Sequence, residues 1–203
     1  MAFGGSEGGA TILDLHSGAL SKGTTFVNIF LLQPDIFTSQ EFKVYKNVRT
    51  KIMESVSHTF GVAPELLHLT HPTFFSRLNE RPAQSLNDEY WHPHVDKETY
   101  QSFHYTSLLY LNDFGNDFKG GRFVFIDPDH RNRTIEPKKG EIFSSIVLNA
   151  VVNKSFSGRV SMFTSGSENL HFVEKVTSGE RYALTVSFTC DIAAAIKDPE
   201  VPK

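Results

Sequence analysis

Between Ser39 and Phe60 the apolar side chains fall at three- and four-residue steps: Phe42, Tyr45, Val48, Ile52, Val56 and Phe60. That period matches one face of an α-helix, with Thr38 or Ser39 placed to cap its start and Gly61 to stop it. A single apolar stripe implies that the helix packs on a partner, and the rest of the chain supplies a sheet. From Thr73 onward the pattern moves towards period two. Strands are predicted over Thr73–Leu78, from Tyr105 towards Asp113, and in "GGRFVFID", "RTIEP", "RVSMFTS", "LHFVEKV" and "ERYALTVSFTC". The last two flank a short glycine-containing connection, which predicts a hairpin turning at Gly179. The Gly/Ser-rich residues 1–23 are expected to be loosely ordered, and residues 193–203, with Pro199 and Pro202, to form a tail. A helix followed by about seven short strands points to a mainly β fold with helical support, a two-sheet barrel or jelly roll.

Composition narrows the function classes. The chain has 203 residues, 39% hydrophobic and 21% charged, as expected for one soluble domain of ordinary size. A formal charge of −3 lacks the basic footprint of a nucleic-acid binder, so no nucleic-acid partner is expected. The lone Cys190 excludes an internal disulfide framework and a multi-cysteine zinc site. The best apolar run, Phe26 to Leu32, is interrupted by Asn28 and falls far short of the ~20 residues that span a bilayer. As given, the chain reads as soluble.

The chemistry concentrates in "YWHPHVDKETY". On an extended segment positions i and i+2 share a face, so His94 and Asp96 present an imidazole and a carboxylate together. Downstream come His171 and, ten residues later, Arg181. Two histidines and one carboxylate on one face leave open coordination positions and mark non-haem Fe(II) oxygenases. An arginine fork beside them suits the far carboxylate of a chelating dicarboxylate. Each element alone has a plainer reading: a histidine-rich polar loop, a strand-end histidine, a surface arginine. His92 reads as a bystander beside Pro93. Order and spacing together favour the metal.

The strings "HPHVD", "TSLLYLND", "GGRFVF" and "RYALTVSF" resemble the 2-oxoglutarate- and Fe(II)-dependent dioxygenases, in particular the prolyl 4-hydroxylase-like branch. The likeness runs from about Ala10 to Pro202. It implies a double-stranded β-helix (jelly roll) over residues 24–192, Fe(II) on His94, Asp96 and His171, and 2-oxoglutarate held by Arg181 and Tyr110. Thr185 and Arg77 are weaker pocket candidates. It also implies O₂ as co-substrate, L-ascorbate (vitamin C) as the reductant that keeps iron ferrous, and hydroxylation of a protein or peptide side chain such as proline, with release of succinate and CO₂. Membrane anchoring, in the secretory pathway, follows from the resemblance alone. One departure stands out. The family's P-x-x-G-R string is split by 18 residues, Glu141 to Gly158, whose content (Ile142, Phe143, Ile146, Val147, Leu148, Val151, Val152) is apolar for a loop. The insert is expected to be a variant feature outside the catalytic design. Two rivals stay open: a metal-binding jelly roll disabled by that insert, and a zinc-dependent hydrolase on the same ligands.

Overall fold

A computed structural model of the chain describes residues 8–200, apart from 128, 130, 140–144, 148, 149 and 157. The chain begins with β1 (Ala10–Asp14), β2 (Ala19–Lys22), β3 (Thr25–Asn28) and the single turn α1 (Ile29–Leu32). The long helix α2 spans Ser39–Phe60, as its apolar period predicts. Thr38 accepts from the Glu41 backbone while the Glu41 carboxylate accepts from the Thr38 N–H, a closed capping box, and Gly61 ends the helix in the left-handed region.

β4 (His68–Leu69), β5 (Phe74–Asn79), the one-turn α3 (Asp96–Thr99) and β6 (Tyr105–Tyr110) follow. Then come β7 (Phe118–Gly120), β8 (Phe123–Ile126), β9 (Asn132–Ile135), β10 (Ser145–Val147) and β11 (Ala150–Phe156). β12 (Gly158–Thr164), β13 (His171–Val173) and β14 (Val176–Thr189) complete the strands among the described residues.

Among the described residues these strands form two antiparallel sheets, the jelly-roll arrangement. The major sheet runs β10-β11-β12-β6-β14-β5-β1-β2-β3, with β4 and β7 also on β14. The minor sheet is β13-β8-β9. Alternation along β14 divides two cores. Leu184, Val186 and Phe188 pack with Phe42, Tyr45, Ile52 and Val56 of α2. Ala183, on the other face, joins Leu108, Tyr110, Phe123, Phe125 and Phe163 between the sheets.

Three expectations are corrected. The predicted loose segment over residues 1–23 contains β1 and β2; β1 pairs along its length with β5, and Leu13 and Leu15 pack on the α2 core, so apolar burial outweighs the glycine and serine content. The tail is likewise tied down: Ile196 packs on the α2 core and donates its N–H to Leu69 O, and Asp198 accepts from Arg49 Nε at 2.9 Å. Residues 1–7 and 201–203 lie outside the described residues.

The third correction concerns Gly179. It is not a hairpin turn but lies inside the 14-residue β14, with φ +77°. β7 pairs with this stretch across a register irregularity, and a Cβ at position 179 would stand 2.2 Å from Asp117 O. The chain instead crosses between sheets after Val173. Within the insert, β10 and β11 extend the major sheet from the edge of β12; Ile142, Phe143 and Leu148 lie outside the described residues.

Candidate metal centre

His94 and His171 face each other as a hydrogen-bonded antiparallel pair. His94 N–H donates to His171 O at 2.9 Å, and His171 N–H donates to His94 O at 3.1 Å. Directly opposed residues project to one side of a sheet, and the two rings lie 4.4 Å apart. Asp96 is not on an extended segment, as the sequence suggests, but opens α3. The turn brings its carboxylate under both rings. Asp96 Oδ1 is 3.6 Å from His94 Nε2 and 3.6 Å from His171 Nε2, and the three ligand atoms lie within 4.8 Å of one another. Bonds of ~2.1 Å at right-angle to tetrahedral geometry set ligand atoms roughly 3–3.5 Å apart. The cluster therefore fits one divalent ion with little adjustment.

The distal nitrogens are already committed. His94 Nδ1 lies 2.9 Å from the His92 carbonyl and His171 Nδ1 2.7 Å from the Asn169 carbonyl. Both must donate there, which leaves both Nε2 lone pairs free for a metal. His171 is buried among Phe123, Phe125 and Phe163. That burial pushes its pKa down to about 4, so the ring is neutral near pH 7. Burial opposes ionisation of Asp96, yet its contact with His94, the neighbouring His171 and the Thr106 hydroxyl hold it below the usual carboxylate value.

Deeper between the sheets lies Arg181, 1% exposed. Its guanidinium sits 5.5 Å from the centre of the Tyr110 ring, and its Nε and Nη2 are buried with no hydrogen-bond partner. A buried cation with unpaired donors is costly unless an anion completes it. Burial pulls its pKa below the ordinary value, offset in part by the Tyr110 and Tyr90 phenols. A carboxylate set against these two donors would neutralise the charge.

A family model described as "2OG-Fe(II) oxygenase superfamily" matches residues 82–189, just over half the chain. The chain belongs to the 2OG-Fe(II) oxygenase superfamily. Along 98% of its length it is 52% identical to 2-oxoglutarate and iron-dependent oxygenase domain-containing protein 3 of Xenopus tropicalis, and along all of it 49% identical to the Homo sapiens protein of that name. The chain spans 58% and 59% of the length of these two relatives. Prolyl 3-hydroxylase 2 of Rattus norvegicus is 38% identical over 43% of this chain and 10% of its own. Among the described residues of this superfamily member, no helix is long and apolar enough to cross a membrane.

The remaining sequence candidates separate by strand face. Tyr110 is fully buried on the inner face of β6, its hydroxyl 3.0 Å from Ser161 Oγ. Thr185 is buried on the inner face of β14, opposite Leu108. Arg77 is not in the pocket of this oxygenase domain. It sits across from Tyr182 and is engaged by Glu180, with Nε to Oε1 at 2.9 Å. The His92 ring is exposed and pairs with Glu89 at 2.6 Å. Its contribution is the backbone carbonyl that orients His94.

Sequence reasoning missed Tyr90 and Thr106. Tyr90 Oη accepts from Val176 N–H at 2.9 Å and lies close enough to Arg181 for each to shift the other's pKa. Thr106 donates to Asp96 Oδ2 at 2.6 Å. Neither has a distinguishing sequence signal: Thr106 is one hydroxyl residue near the start of β6, and Tyr90 lies in a turn. An apolar cavity of ≈430 Å³ beside α2, lined by Leu13, Phe37, Tyr45, Phe75 and Leu184, is on the opposite face of the major sheet from the metal cluster.

Proposed function

We propose that this chain is a Fe(II)- and 2-oxoglutarate-dependent dioxygenase that hydroxylates a protein side chain, with proline as the leading candidate. The observation that carries this reading is Arg181: a fully buried guanidinium with unpaired Nε and Nη2, on the same interior as the His94–Asp96–His171 cluster. A zinc hydrolase on the same ligands would leave that cation without a role.

In this reading His94 Nε2, Asp96 Oδ1 and His171 Nε2 hold the iron. Arg181 takes the distal carboxylate of 2-oxoglutarate through its paired donors. Tyr110 lines the same end, and Thr185 stands between the two ends on β14. When bound, Fe(II) and 2-oxoglutarate supply the oxidising chemistry: with O₂ the oxo acid becomes succinate and CO₂, and one oxygen atom enters a C–H bond to give the alcohol. The aromatic walls around His171 exclude water from the reacting face, and the carbonyls of His92 and Asn169 keep both imidazoles aligned. Ascorbate would serve to return stray Fe(III) to Fe(II). The proline assignment draws support from the relative named prolyl 3-hydroxylase 2, and it rests on sequence likeness over 43% of the chain.

The test is an anaerobic titration of the purified chain with Fe(II) and 2-oxoglutarate, followed by its visible charge-transfer absorption, with succinate release measured after O₂ is admitted. A band lost in Asp96→Ala and requiring much more 2-oxoglutarate in Arg181→Ala is expected. Folded protein that gives no band, or that binds Zn(II) and ignores 2-oxoglutarate, would refute the reading. A band without succinate would instead identify a disabled binding module.

A further inference from the structure

The three metal-site side chains are anchored to different sheets. His94 and His171 are paired to each other and, through β13, belong to the minor sheet. Asp96 is fastened to the major sheet. Its Oδ2 accepts from Thr106 Oγ1 on β6 at 2.6 Å, and Lys97 N–H next to it donates to Ser165 O at 3.0 Å, just past β12. Thr106 Oγ1 and Ser165 Oγ lie 2.9 Å apart, and both residues are at least 98% buried. A carboxylate only accepts, so the single Thr106 proton goes to Asp96, and Ser165 must be the donor to Thr106. The result is a one-way relay, Ser165 to Thr106 to Asp96. It occupies Oδ2 and leaves Oδ1 as the oxygen facing both imidazoles.

We propose that Thr106, backed by Ser165, is a positioning residue that fixes Asp96 as a one-oxygen ligand and makes the bound metal a staple between the two sheets. The inference rests on the metal reading above. A side chain that only filled space at position 106 could be replaced by valine, which has nearly the same shape and no hydroxyl. A hydroxyl that orients the ligand could not, but serine would restore it.

Co(II) is a suitable probe because its visible d–d absorption reports coordination number and geometry without turnover. Wild type, Thr106→Val, Thr106→Ser, Ser165→Ala and Asp96→Ala would be titrated with Co(II) under nitrogen, and the Co(II)-induced rise in Tm recorded for each. Thr106→Val is expected to bind about 10–100-fold more weakly, the usual cost of losing a ligand-orienting partner, with a shifted d–d band and a smaller metal-induced rise in Tm. Thr106→Ser should return affinity and spectrum to near wild type. Ser165→Ala, which keeps the Thr106–Asp96 bond, should weaken binding less than Thr106→Val. Wild-type affinity and an unchanged spectrum in Thr106→Val would overturn the inference while leaving the metal reading intact. So would a Thr106→Ser variant as weak as valine. If Thr106→Val does not fold, an unaltered Ser165→Ala overturns the relay. A wild type that binds no Co(II), indistinguishable from Asp96→Ala, would overturn the metal reading and this inference together.

Discussion

Replacing Arg181 with methionine should make the metal-free protein more stable while depriving it of 2-oxoglutarate. The opposite signs follow from one observation. Arg181 is 1% exposed, yet its Nε and Nη2 have no partner. Each buried unsatisfied donor costs roughly 1–3 kcal/mol. Methionine is shorter, and the volume it leaves unfilled returns about 1 kcal/mol of cavity cost. The net gain for the folded, ligand-free state is therefore about 1–5 kcal/mol. In the ligand-bound state the balance reverses. Removing one partner of a buried hydrogen-bonded charge pair costs about 2–5 kcal/mol, a fall in affinity of about 30-fold to several-thousand-fold. The first quantity is read as the urea midpoint of metal-free protein at constant m-value. The second is read by calorimetric titration of 2-oxoglutarate in the presence of Mn(II), which is not oxidised during the measurement. A destabilised metal-free variant that still bound 2-oxoglutarate normally would show that Arg181 is a structural group whose donors are satisfied within the fold, and the functional argument would fail with it.

Three further predictions follow from local geometry. Thr38→Ala removes half of the α2 capping box and should cost about 0.5–2 kcal/mol in chemical denaturation, with no effect on metal affinity. Gly121→Ala is strained twice: φ is +63°, and the new Cβ would lie 2.9 Å from Val176 Cγ2 and 3.1 Å from Arg181 Cδ. It should destabilise by about 1–3 kcal/mol and also weaken 2-oxoglutarate binding by shifting Arg181; a calorimetric affinity equal to wild type would contradict the second part. Burial works against ionised Asp14, but hydrogen bonds from His16 and Ser17 hold its pKa below the usual carboxylate value. A depressed folded pKa stabilises above the unfolded value and is lost as pH falls through the folded one. The urea-midpoint advantage of wild type over Asp14→Asn should therefore shrink on acidification from about pH 5 towards pH 3, and a constant difference would refute the assignment.

How far the sequence reveals this molecule depends on whether a signal is local. The α2 boundaries were legible because the period, the Thr38 cap and the Gly61 stop all act within a turn or two. Gly179 misled because glycine reports a positive φ and not a change of direction. Whether the chain reverses there depends on β7, which offers a strand partner from 56 to 61 residues earlier. The N-terminal strands were hidden by their composition, since Ala10–Asp14 is held extended between neighbouring β2 and the distant β5. His94, Asp96, His171 and Arg181 were legible because such residue types are scarce and their order is unusual. Thr106, Ser165 and Tyr90 were not: hydroxyl residues are common all along the chain, and only a distance in space distinguishes these three.

The structure also gives a reason for the single residue between His94 and Asp96. That residue, Val95, is 5% exposed, and it is where the chain leaves the pairing with β13 and turns into α3. The spacing looks local, but it bridges two sheets: the residue before Val95 is hydrogen-bonded to His171, and the residue after it is held by Thr106. One additional residue at this point would leave the histidine pair untouched and carry Asp96 past both Thr106 and the two Nε2 atoms. The short spacing is thus the length of chain needed to pass from one sheet to the other at the His94–Asp96–His171 cluster.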